Sequence, residues 1–356
     1  MASTIVASTL RALTYSRGDI CDRTINTEYL QNDCPLDQTS ANAHLACRIQ
    51  PATASLGRLD ILPVETIQII FSNTDLSTLT LLRSVSRRAS CLVDSVPAYK
   101  KVVTHSPNAL RALISTHTAQ YFTANDVFDA LLAHECFLCG RFGAFLYLLE
   151  CRRCCWDCLI SVEDLLPICK ASAQTLYRFD AQTMDEMPTV LTIPGSYGLR
   201  HKQSTHRQPK GEKRVAMVAY GAARKAGLNV QMGKKLTDHY EKAKLETRVA
   251  LRGPVAQDPM RDMDCMNYDH AGYKAGFGLE PQRFMAAVRF PTLITGTDKI
   301  EWGFSCLGCL ERAEYGDEER FWNEQYTTEG MVRHLDKCQR AGQSWINDRV
   351  TEVHGR

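Results

Sequence analysis

Apolar residues recur at helical spacing from Leu59 to about Val103, in short runs separated by good helix breakers. Val64, Ile67, Ile70 and Phe71 share one face of a first helix. Pro63 suits its first turn because the ring fixes φ, and Glu65 beside it complements the helix dipole. Asp75 or Ser77 can cap a second helix, in which Leu79, Leu82 and Val85 recur at a spacing of three. Leu92, Val93 and Val96 supply a third apolar cluster before Pro97, so the pattern predicts a small three-helix bundle. Two more helices are expected, one after Pro107 with Leu110, Leu113 and Ile114, the other capped near Thr123 with Val127, Leu131 and Leu132. The apolar run from Phe142 to Leu149, broken by Gly143, fits a β-hairpin and is far too short to span a membrane. A helical region is expected between Val162 and Phe179, and Pro188, Pro194 and Gly195 mark an irregular stretch.

With 356 residues, 44% of them apolar, the chain can bury real cores and favours two or three small domains over one. Residues 1–57 lack sustained periodicity and hold four basic against five acidic side chains, which predicts disorder. The bundle then occupies 58–104, and 105–180 carries the further helices and a cysteine-rich module. An irregular, basic linker with one helix is expected over 181–255, followed by a C-terminal region over 256–356. The expected class is mainly α, with small α+β modules stapled by metal. A formal charge of +2 gives no global reason to expect nucleic acid or membrane as a partner. The exception is local: residues 200–248 hold thirteen basic against four acidic side chains. A solvated linker, or an import signal around Lys210 to Arg214, accounts for this stretch better than nucleic acid does, because base-stacking aromatics are few. The first thirty residues lack a basic start followed by an apolar stretch, so a cytoplasmic or nuclear protein is expected.

Fifteen cysteines, an odd number with tight CxxC spacing, fit metal binding better than a disulfide framework. Cys21, Cys34, Cys47, Cys91 and Cys265 stand alone and read as ordinary thiols. Cys136 and Cys139 form one pair, and Gly140 permits the turn that a metal knuckle needs. Fifteen residues later come Cys155 and Cys158, a spacing suited to one zinc ion, with the second pair opening a helix. Cys151 and Cys154 are alternates that shorten the spacer to eleven residues. A second set combines Cys306 and Cys309 with His334 and Cys338, which lie four apart as on one helical face. Its 24-residue spacer is longer than that of a DNA-reading finger and suggests a structural clip. Two structural zinc ions are therefore expected, each with all four positions filled by protein. His201, His239 and His270 lack comparable partners and read as surface residues.

The stretch LPVETIQIIFSNTDLSTLTLLRSVSRRASCLV resembles the F-box. Leu62, Pro63, Glu65, Ile70, Phe71, Leu79, Leu82, Val85, Ser86, Leu92 and Val93 occupy the motif's usual positions, with Thr74 where leucine is common and Ala89 where a large residue often packs. The resemblance implies docking on a Skp-type adaptor, and through it a cullin, by way of Leu62, Pro63, Ile67, Ile70, Leu79, Leu82 and Val85. The chain from about 58 to 345 is similar to F-box proteins common in filamentous fungi, with a cysteine cluster, a proline-glycine segment and a C-terminal CxxC with His and Cys. That resemblance implies a subunit that recruits an unidentified protein target to a ubiquitin ligase. A zinc-stabilised module that binds protein or nucleic acid outside a ligase is the alternative.

No nucleophile or acid–base pair stands in a catalytic context, so no enzyme activity is expected. The run from Gly227 to Gly233, Lys234 and Lys235 imitates a phosphate loop but lacks the Ser or Thr after the lysine. Asp262, Asp264, Asn267 and Asp269 imitate a calcium loop, yet Tyr273 stands where its closing glutamate belongs.

Overall fold

The computed structural model describes residues 10, 12–15, 56–193, 196–197, 214–229, 274–275, 281–314 and 324–338. The expectations for His201, His239, His270, Lys234, Lys235, the stretch from Asp262 to Tyr273 and most of 1–57 lie outside them. Helices make up 57% of the described residues, in keeping with a mainly α chain. None of them is long and apolar enough to cross a membrane.

A 3-10 turn at Gly57–Ile61 leads into six helices joined by short connections: α1 (Val64–Ser72), α2 (Leu76–Val85), α3 (Arg87–Ser95), α4 (Pro97–His105), α5 (Pro107–Ser115) and α6 (Ala124–Leu132). Each boundary has a local cause. Asp75 Oδ1 accepts from the Thr78 amide at 2.8 Å, and Ser86 Oγ accepts from the Ala89 amide at 3.1 Å. Pro97 and Pro107 take first-turn positions, where a missing amide is harmless. Thr123 and Asp126 form a reciprocal capping box at the start of α6. The core of α1 to α3 runs on without a break through Tyr99, Val102, Leu110, Leu113 and Leu131. The later helices bury their apolar faces on the same core.

Beyond α6 come β2 (Phe145–Tyr147), β3 (Arg152–Cys154), α7 (Trp156–Ser161), β4 (Pro167–Cys169), α8 (Lys170–Tyr177), α9 (Ala181–Glu186), β5 (Thr189–Leu191) and β6 (Ser196–Tyr197), β1 being Thr14–Tyr15. Then follow β7 (Ala216–Ala219), α10 (Tyr220–Asn229), β8 (Lys274–Ala275), α11 (Pro281–Met285) and β9 (Ala287–Arg289). The last elements are β10 (Thr292–Leu293), β11 (Ile300–Glu301), β12 (Ser305–Cys306), α12 (Leu307–Glu314) and α13 (Thr328–Leu335).

The expected hairpin is β2 with β3, and β9 pairs antiparallel on the other side of β2, setting Leu146 opposite both Arg153 and Val288. Because successive side chains on a strand face opposite ways, β2 serves two cores. Leu146 and Leu148 join the helical core, while Phe145, Tyr147 and Leu149 pack with Trp156 and Phe284. Arg153 is the polar key of this sheet, 2% exposed, donating from its guanidinium to the carbonyls of Ala130, Gly143, Phe290 and Pro291. Burial works to lower its pKa, and the four carbonyl oxygens stand in for the lost water.

Three expectations change here. Part of the supposed linker is structural: β7 is the central strand between β4 and β5, and Arg214 donates to the carbonyls of Thr192, Leu191 and Ser115. Its apolar run, Val215 to Tyr220, is too short to show against the surrounding charge. Likewise, residues 281–293 complete the cysteine-rich module rather than a separate C-terminal region. Third, within the segment expected to be disordered, β1 pairs with β12 and Leu10 and Leu13 are buried. Strand β4 also precedes the helix expected between Val162 and Phe179. Gly227, which opens the run that only imitates a phosphate loop, lies in α10, where a Cβ would stand 2.5 Å from the Tyr177 ring.

Candidate metal centres and docking face

The knuckle of the first centre closes through two backbone bonds. Cys136 donates to the Arg141 carbonyl at 2.6 Å, Gly140 donates to the Cys136 carbonyl at 2.9 Å, and Gly140 takes φ +73°. The opposite half is the start of α7, where Cys155 is the N-cap and its Sγ accepts from the Cys158 amide at 3.4 Å. The four ligand sulfurs of Cys136, Cys139, Cys155 and Cys158 lie within 4.8 Å of one another, and Cys139 and Cys155 are 3.6 Å apart. Sulfurs about 2.3 Å from a zinc ion would be roughly 3.8 Å apart at tetrahedral corners, so the donor set fits one. Cys151 and Cys154 fall outside this group. Cys151 packs in the helical core and Cys154 in the core around Trp156, and burial pushes both thiols up. The hydrogen bond from Cys155 holds Cys136 down at about 4 and pushes Cys155 up in turn.

The second centre is assembled from three elements. Cys306 ends β12, Cys309 sits in the first turn of α12, and α13 with its following turn brings His334 and Cys338. The Cys338 amide donates to the His334 carbonyl at 2.9 Å, which continues helical spacing past the end of α13. His334 Nε2 is 3.3 Å from Cys309 Sγ, and Cys338 Sγ is 3.8 Å from Cys306 Sγ and 4.0 Å from Cys309 Sγ. The Tyr326 ring stacks on His334 at 4.4 Å, and Tyr326 exchanges two backbone bonds of 2.9 Å with Phe304. Leu10 and Met331 seal the apolar side. A hydrogen bond with Cys309 holds Cys306 down at about 4.

Each centre is a four-donor group that could hold a metal ion, and each leaves no donor position for substrate. Arg141, Trp156 and Asp157, beside the first centre, line one crevice with Glu324 and Gln325. Cys91, expected as a lone thiol, is disulfide-bonded, as is Cys169; Cys21, Cys34, Cys47 and Cys265 lie outside the described residues.

The third candidate feature is the set of exposed apolar residues on α1, α2 and the segment leading into α1. Ile61, Ile69, Leu81 and Val85 are 81%, 65%, 65% and 71% exposed, Val64, Ile70 and Pro63 are also exposed, and Leu62 and Leu82 are half-buried. Ile67 and Leu79, expected to touch a partner, are buried at 2% and 0%. They hold the bundle together and have no surface to offer, since spacing identifies a shared face but not which face meets the core. Ile61, Ile69 and Leu81 are large apolar residues out of phase with the core stripe and stand exposed. Thr74 Oγ1 donates to the Ile70 carbonyl at 2.8 Å, and Ala89 is itself buried.

These helices define an F-box: residues 59–101 match the F-box domain family. F-box domains bind Skp-type adaptors of cullin–RING ligases and are typically non-catalytic. No curated protein and no solved structure matches the chain.

Proposed function

We propose that this chain is a non-catalytic, substrate-recruiting subunit of a cullin–RING ubiquitin ligase. The F-box seats it on a Skp-type adaptor, and the part beyond α6 presents a protein target. The observation that carries this reading is the exposed apolar set Ile61, Ile69, Leu81 and Val85 within the F-box match, apolar surface that burial against an adaptor would remove from water. The contribution to ubiquitin transfer is proximity: the target's lysines are held near the charged ubiquitin carrier while catalysis belongs to other subunits. Such a role places the chain in the cytoplasm or nucleus.

Zinc is the metal we assign to both centres, because four sulfurs, or three sulfurs and an imidazole, at near-tetrahedral separations suit that ion. Bound there, it would supply folding free energy to segments too small to build cores alone. A module acting outside a ligase, on protein or nucleic acid, is the competing reading, and its basic stretch is reduced by the internal use of Arg214. Co-elution on a sizing column decides between them. Wild type should travel with a Skp-type adaptor and a Leu62→Ala, Pro63→Ala double variant should not; a folded, metal-loaded wild type that elutes alone would favour the competitor.

A further inference from the structure

Of the four sulfurs in the first centre, only that of Cys139 belongs to an exposed residue; Cys136, Cys155 and Cys158 are buried. Four thiolates around a divalent ion leave a net negative charge, and the sulfur that meets water is where protons, chelators and electrophiles arrive first. Arg141 stands at this sulfur. Its Nε donates to Cys139 Sγ at 3.4 Å, while its outer nitrogen donates to Asp157 Oδ2 at 2.6 Å. Asp157 lies between Cys155 and Cys158 in the first turn of α7. The carbonyl of the same arginine accepts the Cys136 amide that closes the knuckle. One residue therefore touches both halves of the centre: the knuckle through backbone and sulfur, the helix through a carboxylate.

We infer that Arg141 is a positioning residue of the first metal centre, controlling how long that centre retains its ion by shielding Cys139 and tying the knuckle to α7. The inference rests on the assignment of metal to Cys136, Cys139, Cys155 and Cys158. Nitrogen–sulfur hydrogen bonds spread the charge of a thiolate and make it a poorer nucleophile, and partners of this outer kind typically change metal affinity about 10- to 100-fold. Lysine keeps the charge but cannot bond two acceptors in a fixed fork. The second centre is built differently, with the Tyr326 ring stacked on His334, so the effect should be confined to one ion of the two.

The test uses the full chain loaded with zinc. Release into excess chromogenic chelator is followed over time, and in parallel the thiols are alkylated with iodoacetamide and mapped by mass spectrometry. Arg141→Ala should release one ion on the order of tenfold faster, with Cys139 alkylated early and Cys306 and Cys338 labelled at the wild-type rate. Arg141→Lys should recover part of the retention, and Asp157→Asn should fall between alanine and wild type. Wild-type release from Arg141→Ala, or equal acceleration of both ions, overturns the inference. If the alanine variant does not fold, wild-type release from both the lysine and the asparagine variants overturns it instead. A wild-type protein in which zinc does not protect Cys136, Cys139, Cys155 and Cys158 from alkylation refutes the metal assignment itself, and that result is read before any variant is compared.

Discussion

Gly303 lies against the ring of Phe142: a Cβ added there would stand 2.6 Å from Phe142 Cε1, and its φ of +82° already favours glycine. Phe142 follows the knuckle of the first centre and Gly303 leads into the strand of the second, so this contact is where the two modules meet. Gly303→Ala should cost about 1–3 kcal/mol, from the left-handed backbone and the crowding together. Denaturant unfolding would measure it, and in a Phe142→Leu background the loss should shrink because part of the ring is gone.

Metal content separates the two cysteine registers. Cys139→Ser should reduce bound zinc from two ions to one, whereas Cys151→Ala and Cys154→Ala, at sulfurs outside the four-donor group, should retain both. Native mass spectrometry reads this directly. Retention of two ions by Cys139→Ser would remove that residue from the ligand set.

Arg153 should be among the most sensitive positions in the chain. Arg153→Met leaves the carbonyls of Ala130, Gly143, Phe290 and Pro291 buried without a donor, a loss of about 3 kcal/mol or more. Thermal or denaturant melts of the purified variant provide the measurement.

Surface and core roles in the F-box separate cleanly. Leu81→Asp with Val85→Asp, both at exposed helical positions, should abolish adaptor co-elution and leave the melting transition within about 1 kcal/mol of wild type. Ile67→Ala should do the reverse in kind, costing about 2–4 kcal/mol by opening a cavity beneath α1. Loss of stability in the double variant comparable to Ile67→Ala would mean that the outer face is not free.

Local chemistry explains what could be read from the residues alone. The caps at Asp75 and Thr123, the hairpin before Cys155, and the pairing of His334 with Cys338 all depend on neighbours within a few positions. The grouping of Cys155 and Cys158 with the distant knuckle was legible because a metal constrains spacing more tightly than a core does. What escaped was pairing without a chemical label. Strand β9 carries three ordinary residues, Ala287 to Arg289, and nothing in them names Phe145 to Tyr147 as their partner. The same holds for Thr14 and Tyr15 against Ser305 and Cys306. Ile67 and Leu79 show the remaining limit, since a periodic stripe fits a core and a partner surface equally well.

The central position of β2 also sets a timetable for the growing chain. Phe145 to Tyr147 can zip to Arg152–Cys154 as soon as both have left the ribosome, but their other neighbour, Ala287–Arg289, is still untranslated. At ordinary elongation rates that interval is on the order of ten seconds, during which the helices of the F-box can already be packed. Until Phe290 and Pro291 emerge, Arg153 lacks half of its carbonyl cage and β2 presents a bare edge. The residues of the F-box helices are thus all present in the nascent chain well before Val288 and Phe290 arrive to complete the core they share.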